Sequence, residues 1–139
     1  RNRGRFDEAL KAYEKAVELQ PDFVEAHWNI ALHHLMMGEL ERGFAGYEWR
    51  FKWSRFINHT PPRNYPQPRW DGAPLNGKTI FLYAEQGLGD TIQFVRYGAI
   101  VAHLGGRVIL ECQPPLVDLL QSLPSLAQVI PQGNPLPPF

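Results

Sequence analysis

Gly4-Arg5-Phe6-Asp7-Glu8-Ala9-Leu10-Lys11-Ala12-Tyr13-Glu14-Lys15-Ala16-Val17-Glu18-Leu19-Gln20-Pro21 decides how the first third of the chain folds. Phe6, Ala9, Leu10, Tyr13, Ala16, Val17 and Leu19 follow helical spacing and make one face apolar. Pro21 ends the helix, because the residue before a proline is pushed out of α geometry. The landmarks return 34 positions later, where Gly4 falls on Gly38, Phe6 on Leu40, Ala9 on Gly43 and Tyr13 on Tyr47. A further helix fits between the copies and breaks at Gly38. Helices are therefore expected over about 5–20, 23–37 and 40–55, packed as antiparallel neighbours.

A helix-hairpin unit of this period resembles the tetratricopeptide repeat, over roughly residues 1–57. The resemblance implies close helix approach at Ala9 and Gly43, and a closing turn at Pro21. It also implies a cut, since residues 1–20 match the second helix of a hairpin whose first helix is missing. Repeats bury their apolar faces only against neighbours, so such a piece is expected to self-associate. Ala31, His34 and Arg50 depart from the family's glycine, tyrosine and alanine. The run Arg50-Phe51-Lys52-Trp53-Ser54-Arg55-Phe56 reads as the array ending and docking onto the next part of the chain. A basic-aromatic contact with nucleic acid or a membrane interface is the weaker alternative.

Asn29 falls where the repeats of O-linked N-acetylglucosamine transferases carry an asparagine ladder that binds peptide backbone. The resemblance thus implies a protein or peptide partner held at Asn29, since an amide both donates to and accepts from an extended chain. A solvated helix asparagine fits the same residue. His27, His33 and His34 lack the i, i+4 pairing with a carboxylate that a metal site wants, so no metal is expected.

Residues 58–77 hold Pro61, Pro62, Pro66, Pro68 and Pro74 with Gly72 and Gly77, and read as an extended connector pinned by Trp70. Residues 78–139 have a different rhythm. Thr79-Ile80-Phe81-Leu82-Tyr83-Ala84 is a strand buried on both faces. A helix is expected from about Thr91 to Leu104, a strand over 107–111, a helix opened by Pro114-Pro115, and a third strand at Gln128-Val129-Ile130. Strand-helix-strand-helix-strand implies a parallel sheet with right-handed crossovers, about half of a Rossmann-like domain.

In such sheets ligands meet the loops at the carboxyl ends of the strands. In Glu85-Gln86-Gly87-Leu88-Gly89-Asp90-Thr91 two glycines let backbone approach a ligand, and the following helix favours anionic groups. Asp90 or Thr91 serves equally well as a plain helix cap. No Lys-Ser/Thr pair closes the loop, which excludes a P-loop. A dinucleotide site is weakened by Ile92 at the third small position, although Glu111 stands about 20 residues on, where a ribose would want an acid.

Ala84-Glu85-Gln86-Gly87-Leu88-Gly89-Asp90-Thr91-Ile92-Gln93-Phe94 resembles the opening loop of heptosyltransferase-type glycosyltransferases, which have the GT-B architecture of two Rossmann-like domains. Trp70-Asp71-Gly72 is similar to the linker of bacterial proteins that join tetratricopeptide repeats to such a domain. The resemblance spans about residues 68–139. It implies that Asp90 is the base activating an acceptor hydroxyl, and that Gly87, Leu88 and Gly89 line the substrate. A nucleotide-sugar donor would bind a domain beyond Phe139, so the fragment is expected to be inactive alone. The fold class is thus tetratricopeptide hairpins followed by the first part of a Rossmann-like parallel sheet, α plus α/β. The rival functional class is a non-catalytic adaptor, and a nucleotide-dependent oxidoreductase stands third.

Composition bounds these readings. Apolar residues are 44% and charged residues 20%, a globular balance. Fourteen basic and fourteen acidic residues leave no global field to attract nucleic acid. No apolar run reaches the roughly 18 residues of a membrane span. Cys112 is the only cysteine, which excludes a disulfide framework and suits the cytoplasm. No cofactor is expected.

Overall fold

The computed structural model describes residues 3–59 and 63–139. Residues 1 and 2 of the repeat range, and Thr60, Pro61 and Pro62 of the connector, lie outside the described residues. The chain divides into two compact units, Arg1–Asn64 and Tyr65–Phe139. No described helix is long and apolar enough to cross a membrane.

The first unit is built of helical hairpins. Helices α1 (Arg3–Leu19), α2 (Val24–Met36) and α3 (Leu40–Tyr47) follow one another through short joins. At the first join His27 Nε2 lies 2.7 Å from the Pro21 carbonyl. A carbonyl only accepts, so that ring nitrogen carries the proton. At the second, Gly38 takes φ +80°, with Gly38 N–H on Leu35 O and Glu39 N–H on His34 O. These two bonds satisfy the last carbonyls of α2 and turn the chain into α3.

Small residues set how close α2 and α3 lie. Ala26 and Ala31 are fully buried in α2. A Cβ on Gly46 would stand 2.9 Å from the Ala31 Cβ, and one on Gly43 would stand 2.6 Å from Leu35 Cδ2 and 2.9 Å from its backbone nitrogen. Gly43, the position matched with Ala9 at offset 34, therefore marks a contact with α2 where only hydrogen fits.

The periodicity predicts one helix from Leu40 to about Trp53, and the structure differs. Regular α geometry stops at Tyr47, tightens into a 3-10 turn over Glu48–Lys52, and resumes in α4 (Ser54–His59). Arg50 explains the change. It is 8% exposed, with its guanidinium 3.8 Å from the Phe51 ring centre and 4.8 Å from that of Tyr47. Its Nη1 donates to Tyr47 O at 3.1 Å and to Glu48 Oε1 at 2.9 Å. Burying a guanidinium requires partners, and folding it back onto Tyr47 O engages the carbonyl that a continuing α-helix would give to Phe51 N–H. Trp28 then packs against Tyr47, Trp53 and Phe56, with ring centres 4.6, 5.5 and 6.4 Å away.

The second unit carries a three-stranded parallel sheet in the order β1-β2-β3, with β1 (Thr79–Tyr83), β2 (Arg107–Cys112) and β3 (Gln128–Pro131). Ile80 pairs with Val108, Tyr83 with Glu111, and Glu111 with Ile130. The expected helix over 91–104 is two helices, α5 (Leu88–Phe94) and α6 (Tyr97–His103), and a short α7 (Val117–Gln121) follows the Pro114-Pro115 turn. One face of the sheet holds Ile80, Leu82, Val108, Leu110 and Cys112, packed with Val101 of α6 and Leu116 and Leu120 at α7. The turn Gly105-Gly106 lets α6 close on this face. Gly105 adopts φ +84°, and a Cβ on Gly106 would stand 2.4 Å from Leu75 Cδ1.

The other face is closed by aromatic rings remote in sequence. Phe139 stacks on Phe81 at 4.7 Å, and Tyr65 meets both edge-on at 5.2 and 5.6 Å. Gln67 Nε2 fastens this clasp to Phe139 O at 2.9 Å. The proline-rich segment from Tyr65 onward thus packs as part of this unit, and Leu75 is a core residue. Trp70 instead closes a local turn, with Nε1 donating to Ala73 O at 2.8 Å while Asp71 Oδ1 accepts Ala73 N–H.

A branched side chain at Gly43 should force α2 and α3 apart. Gly43→Val is expected to destabilise the helical unit by about 1–3 kcal/mol, the usual cost of overpacking. Tryptophan fluorescence in urea reads this out, because Trp28, Trp49 and Trp53 all lie in that unit.

Candidate functional site

The three strands run in one direction, so their carboxyl ends form a single edge. The chain leaves β1 through Ala84, Glu85 and Gln86 and enters α5 at Leu88. Gly87 is the capping residue, extended at φ −73° and ψ 172°, and its carbonyl accepts the first helical bond from Thr91 N–H at 3.2 Å. The helix therefore begins three residues earlier than the Thr91 expected from the apolar pattern. Asp90 sits inside the first turn rather than ahead of it.

This placement reverses the direction of the bond Asp90 makes. An aspartate preceding the helix would accept from N–H groups further along, near residues 92 and 93. Here its Oδ2 accepts from Gly87 N–H at 3.1 Å, reaching back over the loop. Such a bond is the acidic half of a capping box, with glycine standing where a hydroxyl residue usually supplies the other half. Gly87, Leu88, Gly89 and Asp90 lie together on one exposed turn. The structure thus gathers these four on the carboxyl edge.

Side chains from the neighbouring strand ends hold the loop's carbonyls. Gln113, the residue after β2, donates from Nε2 to Gln86 O at 2.7 Å. Its Oε1 accepts the Thr91 hydroxyl at 3.0 Å, and that hydroxyl also lies 3.3 Å from Gly87 O. Gln132, the residue after β3, donates from Nε2 to Ala84 O at 3.3 Å. Sequence reasoning passed over both glutamines. A signal was present, for Gln86, Gln113 and Gln132 each follow a strand by no more than three residues.

Glu111, the acid a dinucleotide ribose would want, is 4% exposed between Tyr83 and Ile130. Beside it Cys112 is wholly buried, and burial, helped by the Glu111 charge, pushes its thiol above the ordinary value of 9.0. Asn29 lies in the other unit, half-buried on α2, with Nδ2 donating to Glu25 O one turn back at 2.7 Å. Its Oδ1 makes no bond among the described residues. His27 stacks on Trp49 at 3.7 Å, and no described group of three or more His, Cys, Asp or Glu residues is arranged to hold a metal ion.

Comparison with known proteins agrees with the helical half. A family model described as TPR repeat matches residues 1–38. Protein FlbA of Caulobacter vibrioides is 27% identical over 117 residues, covering 59% of this chain and 20% of that protein. The chain thus spans about a fifth of the length of this curated relative. No solved structure matches. The repeat supports a role in protein interaction.

The Cys112 environment gives a direct check. Only the thiolate reacts readily, so the native thiol should resist alkylation at pH 8 and react at once in denaturant. Because the folded value is raised, stability is retained below the unfolded thiol's value and falls as pH rises through and above 9.0. Native labelling as fast as that of a small free thiol would contradict the burial.

Proposed function

We propose that the helical repeats hold a protein or peptide partner for a sugar-transfer site that uses the α/β unit. In this reading the unit is the beginning of a GT-B N-terminal domain, and Gly87, Leu88 and Gly89 form the floor over which an acceptor lies. Asp90 is the base that takes the acceptor's hydroxyl proton. A nucleotide sugar is the donor, bound by a domain outside this sequence. Asn29 presents its amide to the backbone of an extended peptide, with Oδ1 as acceptor and the second amide hydrogen as donor.

One observation carries the reading. An exposed carboxylate lies over a two-glycine loop at the carboxyl edge of a parallel sheet, the place where such sheets bind ligands. A base must first be within reach of its proton, and an exposed side chain on an open turn meets that condition. The adaptor reading has its own support. The Asp90–Gly87 bond stabilises the start of α5 without any chemistry, and the repeat match concerns protein binding. An oxidoreductase loses support because Glu111 is buried in the sheet, away from any ribose at the surface.

Asp90→Asn in the complete protein separates transfer from adaptor. Asparagine keeps an oxygen that can accept from Gly87 N–H, so stability should stay within about 0.5 kcal/mol. Sugar transfer to a hydroxyl acceptor should fall by about 10² to 10⁴, the usual worth of a general base. Undiminished transfer would remove Asp90 from the chemistry and leave it a helix cap.

A further inference from the structure

We infer that Gln113 is the positioning residue of the glycine loop. Gln86 to Asp90 are all exposed on the carboxyl edge. Gln113 bonds to the loop at two points on either side of the bend, Gln86 O before it and the Thr91 hydroxyl after it. Thr91 is 8% exposed, so its hydroxyl needs an internal acceptor, and Gln113 Oε1 is the nearer of the two it has.

The backbone that presents this amide is itself fixed from both sides. Cys112 ahead of it is locked in β2, with its carbonyl accepting Gln132 N–H at 2.8 Å. Pro114 behind it confines the preceding residue to extended geometry, and Gln113 sits at φ −60° and ψ 138°. At neutral pH a primary amide of this length can both donate to Gln86 O and accept from Thr91. An ionised glutamate only accepts, a lysine only donates, a leucine does neither, and asparagine is one methylene shorter. What Gln113 positions for rests on the proposed ligand role of the loop, but the positioning can be tested without any ligand or activity.

The test uses amide NMR of the 139-residue chain in an Asp90→Asn background, so that the carboxylate on Gly87 N–H does not titrate. Gln113→Leu should raise hydrogen exchange at Gly87 and Thr91, whose amides are bonded within the loop, by roughly tenfold or more, while β2 amides keep their protection. Gln113→Glu is the sharper variant. A protonated carboxyl offers one O–H donor and one acceptor and so restores both bonds, whereas the ionised form cannot donate to Gln86 O. The Gly87 and Gly89 shifts should therefore titrate, parent-like in acid and Leu-variant-like in alkali. The midpoint should lie above the ordinary glutamate value, because the protonated form makes the extra bond. Glu85 and Glu111 are present in the parent too, whose own pH series is subtracted. If Gln113→Leu fails to fold, the Gln113→Glu titration decides alone. A flat titration, or loop exchange unchanged in Gln113→Leu, would overturn the assignment even if Asp90 proves to be a base.

Discussion

Val108, Ile109, Leu110, Glu111 and Cys112 are five consecutive residues, none more than 6% exposed, and the α/β unit is arranged around that burial. A central strand hidden on both faces needs a neighbour on each edge and a cover on each side. The parallel neighbours β1 and β3 satisfy its backbone. Helices α6 and α7 cover one face, and on the other the Tyr65–Phe139 pair packs on Phe81 of the neighbouring β1. Parallel pairing also forbids hairpins, so every return crosses over the sheet and every exit from a strand lies on the same edge. The glycine loop, Gln113 and Gln132 are neighbours for that reason alone.

The helical unit obeys a different rule, that close helix approach demands small residues. Ala31 against Gly46 and Leu35 against Gly43 bring α2 and α3 together at distances no larger side chain permits. Where that pattern fails, at Arg50, the helix fails with it. A long cation in the position of a small residue has to bury its stem and pair its head, and it does both by bending back onto Tyr47, Glu48 and Phe51. The 3-10 turn then leads into α4, and Trp28 packs against Tyr47 and Trp53.

Much of this was legible in the residues. Strand positions were read to within one or two residues because buried parallel strands are short apolar runs between glycines. The first two helices were read as well, since an apolar face, Pro21 and Gly38 bound them. The start of α5 was not legible, for Leu88 and Ile92 are half-exposed and lie off the face that packs on the sheet. An apolar count cannot place a first turn whose apolar residues face outward, and Asp90-Thr91 looked like the cap by default. The place of Gln113 just after a strand was visible, but its role was not, because that depends on the register of Tyr83 with Glu111, which carries the end of β2 beside the β1 loop. The clasp was invisible for a related reason, as Tyr65 and Phe139 meet only across 74 positions of chain.

In the proposed reading, Asp90 carries a structural role and a chemical one on one side chain. A carboxylate has two oxygens, and Gly87 N–H occupies only Oδ2, while Oδ1 has no hydrogen-bond partner among the described residues. That single bond fixes the side chain's direction without removing its capacity to accept a proton. Fixing direction is what a base on an exposed turn otherwise lacks, since a freely rotating aspartate spends little time aimed at any one hydroxyl. Gly87 is held in turn by Thr91, and Thr91 by Gln113 at the end of the buried central strand. The chain of bonds from a wholly buried strand to an exposed carboxylate supplies the rigidity that catalysis on such a loop would require, and that a mere cap would not need.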